Sequence, residues 1–447
     1  MPAALHEGGP RFRRRRAALD GAGVPGRVTR RARGLVPPAS GVLVTALAVG
    51  GAAAAFAGCT DEGGPAAPAS DGGAVPDVTV ADVALDDAAD AADAASTYAW
   101  NLPKGFPLPV VPPDNPMTKE KVELGRRIFY DKRLSKNQTQ SCASCHLQNL
   151  AFTDGRPRGI GSTGIEHPRS SMSLANVAYA SSLTWANPLQ LVLERQAQIP
   201  IFGQDPVELG MTSTPEVEAR FAAVPLYVDL FGRAFPGEPR PITLANLLKA
   251  LASFQRSLIS ANSPYDRWAR GEPSTMSDAA KRGYALFHAE KFECFHCHTA
   301  PMFSDHTTWV GKAFTDRPYH NTGLYNLDGA GAYPFPNTGV EAVTRVASDM
   351  GRFKAPSLRN VAVTAPYMHD GSIATLAEVL DHYVAGGRTI TSGPNAGIGS
   401  ASPLKDPLIV PLSVTPEERA DVIAFLESLT DDQFLTEPSL SDPWITP

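Results

Sequence analysis

The chain has 447 residues, 19% of them charged, with 40 Lys and Arg against 46 Asp and Glu, for a formal net charge of −6. A cluster of arginines between Arg11 and Arg33 sits in a leader-like stretch, so the remainder is more acidic than that figure. This balance argues against nucleic acid as a partner and suits a basic or neutral protein surface. The length fits two domains of ordinary size.

In chain order, the arginine-rich stretch runs into an apolar segment from Gly41 to Gly58 made mostly of Ala, Val, Leu and Gly. It is too short and too rich in small residues for a stable membrane-spanning helix and reads as the hydrophobic region of an export signal. Phe56-Ala57-Gly58-Cys59 resembles a bacterial lipobox, which predicts Cys59 as the lipidated first residue of the mature chain. Ordinary signal cleavage nearby is the alternative. Residues 1–59 are thus expected to be removed or processed, with the protein in the periplasm and anchored to the membrane through Cys59. Residues 60–100 are Ala, Asp, Gly and Pro with few large apolar groups, and are expected to be a disordered tether.

Two copies of Cys-x-x-Cys-His follow, at Cys142-Ala143-Ser144-Cys145-His146 and Cys294-Phe295-His296-Cys297-His298. That spacing is the attachment signal for c-type haem: each thiol adds to a vinyl group, and the adjacent His reaches the iron. Four of the five cysteines are used this way. A thioredoxin-like or zinc site would not need His directly after both pairs. Haem c is attached outside the cytoplasm, in agreement with the leader. Two covalently bound haems c are therefore expected, with His146 and His298 as ligands; His296 is expected to be a spacer.

An internal echo accompanies the motifs, Gly125-Arg126-Arg127-Ile128-Phe129 before the first and Gly283-Tyr284-Ala285-Leu286-Phe287 before the second. Helices are predicted at Leu244–Leu258 and at Thr415–Leu429, the latter opened by a capping box. Strand signals are scarce. The predicted fold is mainly α, two cytochrome c-like haem domains with long ordered loops: residues 101–265, residues 266–434, and a tail at 435–447. A further helix begins at the capping box Thr375-Leu376-Ala377-Glu378 and stops at Gly386-Gly387. Its apolar face carries Leu376, Val379, Leu380 and Tyr383 at helical spacing. From spacing alone Tyr383 is a core tyrosine hydrogen-bonded to backbone.

These residues resemble the bacterial di-haem cytochrome c peroxidase and MauG family. The match includes Ala151-Phe152-Thr153-Asp154-Gly155-Arg156, Pro356-Ser357-Leu358-Arg359-Asn360-Val361 and Thr364-Ala365-Pro366-Tyr367-Met368-His369-Asp370-Gly371-Ser372. Trp185-Ala186-Asn187-Pro188, Leu193-Glu194-Arg195-Gln196-Ala197 and Pro206-Val207-Glu208-Leu209-Gly210-Met211 are similar to the methanobactin-associated, MbnH-type members. The resemblance implies one haem per domain and one calcium ion between them. It places Tyr383 where peroxidases carry a Met ligand, which makes Tyr383 an axial ligand opposite His298. It also implies Glu194 as the distal acid–base residue, with Pro188 six positions before it. Backbone carbonyls of Thr364 and Pro366 would hold calcium. His167 stands in the loop where classical peroxidases have a closing His, and is expected on the surface. Met368, His369, His320 and Met350 are alternative ligands or, in preference, structural residues. No aromatic residue occurs in Met172-Ser173-Leu174-Ala175-Asn176, where relatives place an inter-haem Trp.

The function this implies is peroxide-dependent oxidation of aromatic residues, Trp to kynurenine, on a periplasmic, copper-associated (MbnP-like) partner, through a high-valent state shared by both haems. The alternative is a cytochrome c peroxidase reducing hydrogen peroxide to water with electrons from a small redox protein. A non-enzymatic electron carrier is a third reading.

Overall fold

Residues 98–445 are described in the computed structural model; the expected export signal, Cys59 and the expected tether up to position 97 lie outside the described residues. Two crossed helix pairs organise the chain. In the first, Lys119–Tyr130, capped by the Thr118 side chain, lies against Leu244–Arg256. Gly125 marks the crossing: a Cβ there would sit 1.9 Å from the Ala250 carbonyl oxygen, so only glycine lets the backbones touch. The second pair, Asp278–Phe287 against Pro416–Glu427, repeats this at Gly283, where a Cβ would lie 1.8 Å from the Asp421 oxygen. The sequence echo is thus a duplicated crossing. Each is flanked by the same ring contact, Phe129 with Phe254 at 5.2 Å and Phe287 with Phe425 at 5.1 Å.

Each pair seeds an apolar core. The first contains Leu124, Ile128, Phe129, Phe152, Leu251 and Phe254. The second contains Phe287, Phe303, Leu380, Val422 and Phe425. A third, smaller cluster holds Tyr325, Tyr333, Phe353 and Ile373. After Leu429 the chain returns to the first core: Phe434 meets Phe152 at 5.7 Å, and Tyr130 and Arg126 bond the carbonyls of Leu440 and Ser441. The segment at 435–445 is therefore a strap packed on the N-terminal core.

Two asparagines join the halves. Asn176 and Asn360 both adopt left-handed backbone, φ 59° and 61°, a conformation Asn tolerates better than most residues. Asn176 exchanges hydrogen bonds with Ser260 in both directions at 2.8 Å. Asn360 donates to Ser260 Oγ and accepts from Asp431 N–H. Beside them Arg359, fully buried, holds Asp266 through both nitrogens at 2.9 Å.

The predicted helices appear at Leu244–Arg256, Leu376–Val384 and Pro416–Glu427, the last two with the anticipated capping boxes. Sheet is confined, among the described residues, to a hairpin pairing Thr389–Ile390 with Gly397–Ile398. Long ordered loops fill the rest: between His288 and Val340 the one helical element is the turn Cys294–His296. No described helix is long and apolar enough to cross a membrane.

Candidate functional site

Both Cys-x-x-Cys-His motifs open on short 3-10 turns, Cys142–Ser144 and Cys294–His296, with the second cysteine of each pair at or next to the turn's end and the histidine directly after it. None of the four sulfurs is in a disulfide. His146 Nδ1 lies 2.7 Å from the Phe152 carbonyl, and His298 Nδ1 lies 3.0 Å from that of Phe303. A carbonyl only accepts, so each Nδ1 carries the proton and each Nε2 keeps a free lone pair. The accepting residues share an unusual backbone: Phe152 and Phe303 have φ of 60° and 52°. Bulky residues rarely adopt it, and here it turns a carbonyl inward onto the ligand histidine. Burial pushes both imidazoles below their ordinary range, which favours the neutral form that binds metal.

A largely apolar cavity of about 300 Å³ is lined by Cys294, Cys297 and His298 together with Leu376, Val379, Leu380 and Tyr383. The face read from helical spacing thus fronts the second motif. Among the described residues the Tyr383 hydroxyl has no hydrogen-bond partner, so it is not the backbone-bonded core tyrosine that spacing alone suggested. Burial, then the nearby thiols, pushes this phenol up. A bound metal would reverse that, because a cation favours the phenolate. The donor set therefore fits a haem: paired thiols, an imidazole oriented through its other nitrogen, an apolar wall and an unpaired phenol.

The alternative ligands separate. His320 spends both nitrogens on Asp305 and Asp406, each at 2.7 Å, and is structural. Met350 caps the Asn321 amide with its carbonyl and is absent from the cavity wall. Met368 and His369 line the cavity, but the His369 ring is stacked on Phe353 at 3.7 Å, with Nε2 unpartnered. His296 points to Glu293 at 2.8 Å, as a spacer would. Sequence reasoning passed over His382, which is buried with neither nitrogen hydrogen-bonded and faces a separate cleft. No sequence pattern marks an orphaned imidazole.

Glu194 is no solvated helix charge. Arg256 holds it with two hydrogen bonds of 2.7 and 2.9 Å, and Asn115 adds a third at 2.7 Å. Lys121 in turn donates to Asn115 Oδ1. Burial acts to raise the Glu194 carboxyl, but Arg256 and Asn115 outweigh it and hold the group below its usual range. The result is a fixed, ionised carboxylate against the first core. Pro188 is half-buried in a turn closed by Gln190 N–H on the Asn187 carbonyl.

His167 departs from expectation. Its side chain is 13% exposed and bonded through Nε2 to the Val207 carbonyl, so it is covered by the Val207–Glu208 segment rather than lying on the surface. Ala175, in the segment 172–176 that lacks an aromatic residue, lines the cavity, and Trp185 lines it too, its indole N–H donating to Ser170 O at 2.9 Å. Thr364 and Pro366 line this cavity, and their carbonyls accept no backbone hydrogen bond from any described residue.

Comparison with known proteins agrees with this geometry. The profile of the di-haem cytochrome c peroxidase family matches residues 119–274. The methylamine utilization protein MauG of Methylorubrum extorquens is 36% identical over 348 residues, 78% of this chain and 88% of that protein. The cytochrome c551 peroxidase of Pseudomonas aeruginosa is 30% identical, covering 76% of this chain and 88% of its own. A crystal structure of a MauG-like protein associated with microbial copper homeostasis superimposes with a TM-score of 0.76 at 50% identity, over 78% of this chain and 100% of that one. The chain belongs to the di-haem cytochrome c peroxidase and MauG family, and is a haem-dependent oxidoreductase that binds two haem groups.

Proposed function

We propose that the protein is a MauG-type, MbnH-like enzyme that uses hydrogen peroxide to oxidise aromatic residues, Trp to kynurenine, on a copper-associated, MbnP-like partner in the periplasm. The observation that carries this reading is the unpaired Tyr383 phenol facing the cavity of Cys294, Cys297 and His298. A phenolate is a hard anionic donor that favours oxidised iron, whereas a Met thioether raises the potential and favours reduced iron. An electron-entry haem fed by a small redox donor, as in the peroxidase alternative, needs the second property. Support also comes from the likeness to a MauG-like protein associated with copper homeostasis.

In this reading both haems are c-type, joined to Cys142 and Cys145 and to Cys294 and Cys297, and supply the redox chemistry with peroxide. The chain's own residues do the rest. His146 and His298, each oriented through Nδ1 by the carbonyls of Phe152 and Phe303, would hold the iron through the other ring nitrogen. Glu194, placed by Arg256 and Asn115, takes a proton from peroxide and returns it to the leaving oxygen. Pro188 shapes the turn leading to it. Calcium is held by the Thr364 and Pro366 carbonyls, and Cys59 anchors the chain to the membrane.

The test is incubation of the di-haem protein and peroxide with an MbnP-like partner, reading the partner by peptide mass spectrometry. A Trp converted to kynurenine only when both proteins and peroxide are present supports the reading. Unmodified partner, with rapid peroxide turnover on a reduced small cytochrome, supports the peroxidase instead.

A further inference from the structure

Outside the haem and peroxide sites, Tyr325 and Asp370 form a buried phenol–carboxylate pair. Tyr325, 4% exposed, donates its O–H to Asp370 Oδ2 at 2.6 Å. Asp370 Oδ1 accepts the Ser372 N–H, and among the described residues the carboxylate enters no salt bridge. Burial acts to raise the Asp370 carboxyl, but His369 and the hydrogen bonds from Tyr325 and Ser372 outweigh it and hold it below its ordinary range; burial, then Asp370, pushes the Tyr325 phenol up to about 12. At rest the proton therefore stays on the phenol.

The pair is linked to the second haem cavity by aromatic contact. Tyr325 meets Tyr333 edge-on at 5.5 Å, and Tyr333 lines the cavity together with Tyr383. Tyr333 itself donates to the Asn321 amide oxygen, which is too weak a base to hold a phenolic proton. Outward, Ser372 and its partner Arg388 line a surface cleft. The other tyrosine that donates to a carboxylate among the described residues, Tyr227 on Asp131, lies away from this cavity, and its acceptor is already engaged by Arg133.

We propose that Tyr325 is a redox station between the second haem and the protein surface: it yields one electron to the peroxide-oxidised haem pair while its proton moves to Asp370 Oδ2. The O–H bond of Tyr325 breaks, an O–H bond forms on Asp370, and a neutral tyrosyl radical remains. Hydrogen peroxide is the terminal oxidant, taking two electrons and two protons to give two waters, and one of those electrons comes from Tyr325. An electron from an aromatic residue of the partner then restores the phenol as the proton returns from Asp370. This rests on the peroxide-dependent reading above. The arrangement suits the step because an oxidised phenol is a strong acid, and an ionised acceptor already at hydrogen-bond distance removes the proton without reorganisation.

The experiment is freeze-quench EPR of the di-haem holoprotein after peroxide, without partner, in wild type, Tyr325→Phe and Asp370→Asn. Wild type is expected to give a tyrosyl signal that narrows when the protein is grown on ring-deuterated tyrosine. Tyr325→Phe should lower it at least tenfold while the resting spectra of both haems stay unchanged, and Asp370→Asn should lower it as well. Haems that react while wild type shows no tyrosyl signal overturn the proposal without touching the peroxide-dependent reading, and so does a signal that persists in Tyr325→Phe. The wild-type labelling result stands even where a variant fails to fold. Haems that do not react with peroxide overturn both.

Discussion

Arg256 grips both carboxylate oxygens of Glu194, at 2.7 and 2.9 Å, with the two side chains only 5% and 15% exposed. The pair locks the carboxylate in place and in its ionised form. Arg256→Met would leave a buried unpaired charge, a loss of about 3–5 kcal/mol. The double variant Arg256→Met/Glu194→Gln should lose less than the sum of its parts, measured by urea denaturation of the four-member cycle. In Arg256→Met the Glu194 pKa should also rise, moving the acid limb of the peroxide rate profile to higher pH.

Acid should loosen the fold through the same chemistry. Arg256 holds Glu194, and Arg359 holds Asp266, below their ordinary values against the opposing effect of burial. A depressed folded pKa stabilises above the unfolded value of about 4 and stops doing so as pH falls through the folded value. Urea midpoints should therefore fall steeply below about pH 4. The slope should be shallower in an Asp266→Asn protein, which has one fewer proton to take up.

Gly125→Ala and Gly283→Ala should each be severely destabilising. The new methyl would lie 1.9 or 1.8 Å from a backbone carbonyl oxygen on the facing helix, so the helices must separate. Overpacking typically costs about 1–3 kcal/mol, and a backbone clash belongs at or beyond the upper end. Thermal melts should show both variants well below wild type, whereas Gly232→Ala, with open space around it, should melt near wild type.

Local chemistry was the legible part of this chain. The echo around Gly125 and Gly283, the capping boxes at Thr375 and Thr415, and the Tyr383 face all depend on residues within a few positions of each other. The partners of those residues were not legible. Arg256 lies 62 positions from Glu194, and nothing in the periodicity of its helix says that its guanidinium turns to that carboxylate. The covered state of His167 depends on Val207, 40 positions away. The return of Phe434 and Leu440 to the first core, and the meeting of Asn176 and Asn360 at Ser260, are products of topology that short patterns do not encode.

Ligand substitution should report on Tyr383 directly. Tyr383→Phe removes the sole unpaired phenol facing His298 among the described cavity-lining residues and should change the optical and EPR signature of one haem only. Tyr383→Met should restore a six-coordinate haem with a markedly higher potential, measured by spectroelectrochemical titration. An unchanged low-spin haem in Tyr383→Phe would remove Tyr383 from the iron.

In a MauG-type enzyme both haems act together on peroxide without prior reduction. This is tested most directly by titrating the resting ferric protein with one equivalent of hydrogen peroxide while following optical and EPR spectra. Prompt loss of both resting ferric signals and a long-lived oxidised state are expected. A protein that stays unreactive until one electron is added would contradict it and identify a peroxidase whose peroxide site opens on reduction.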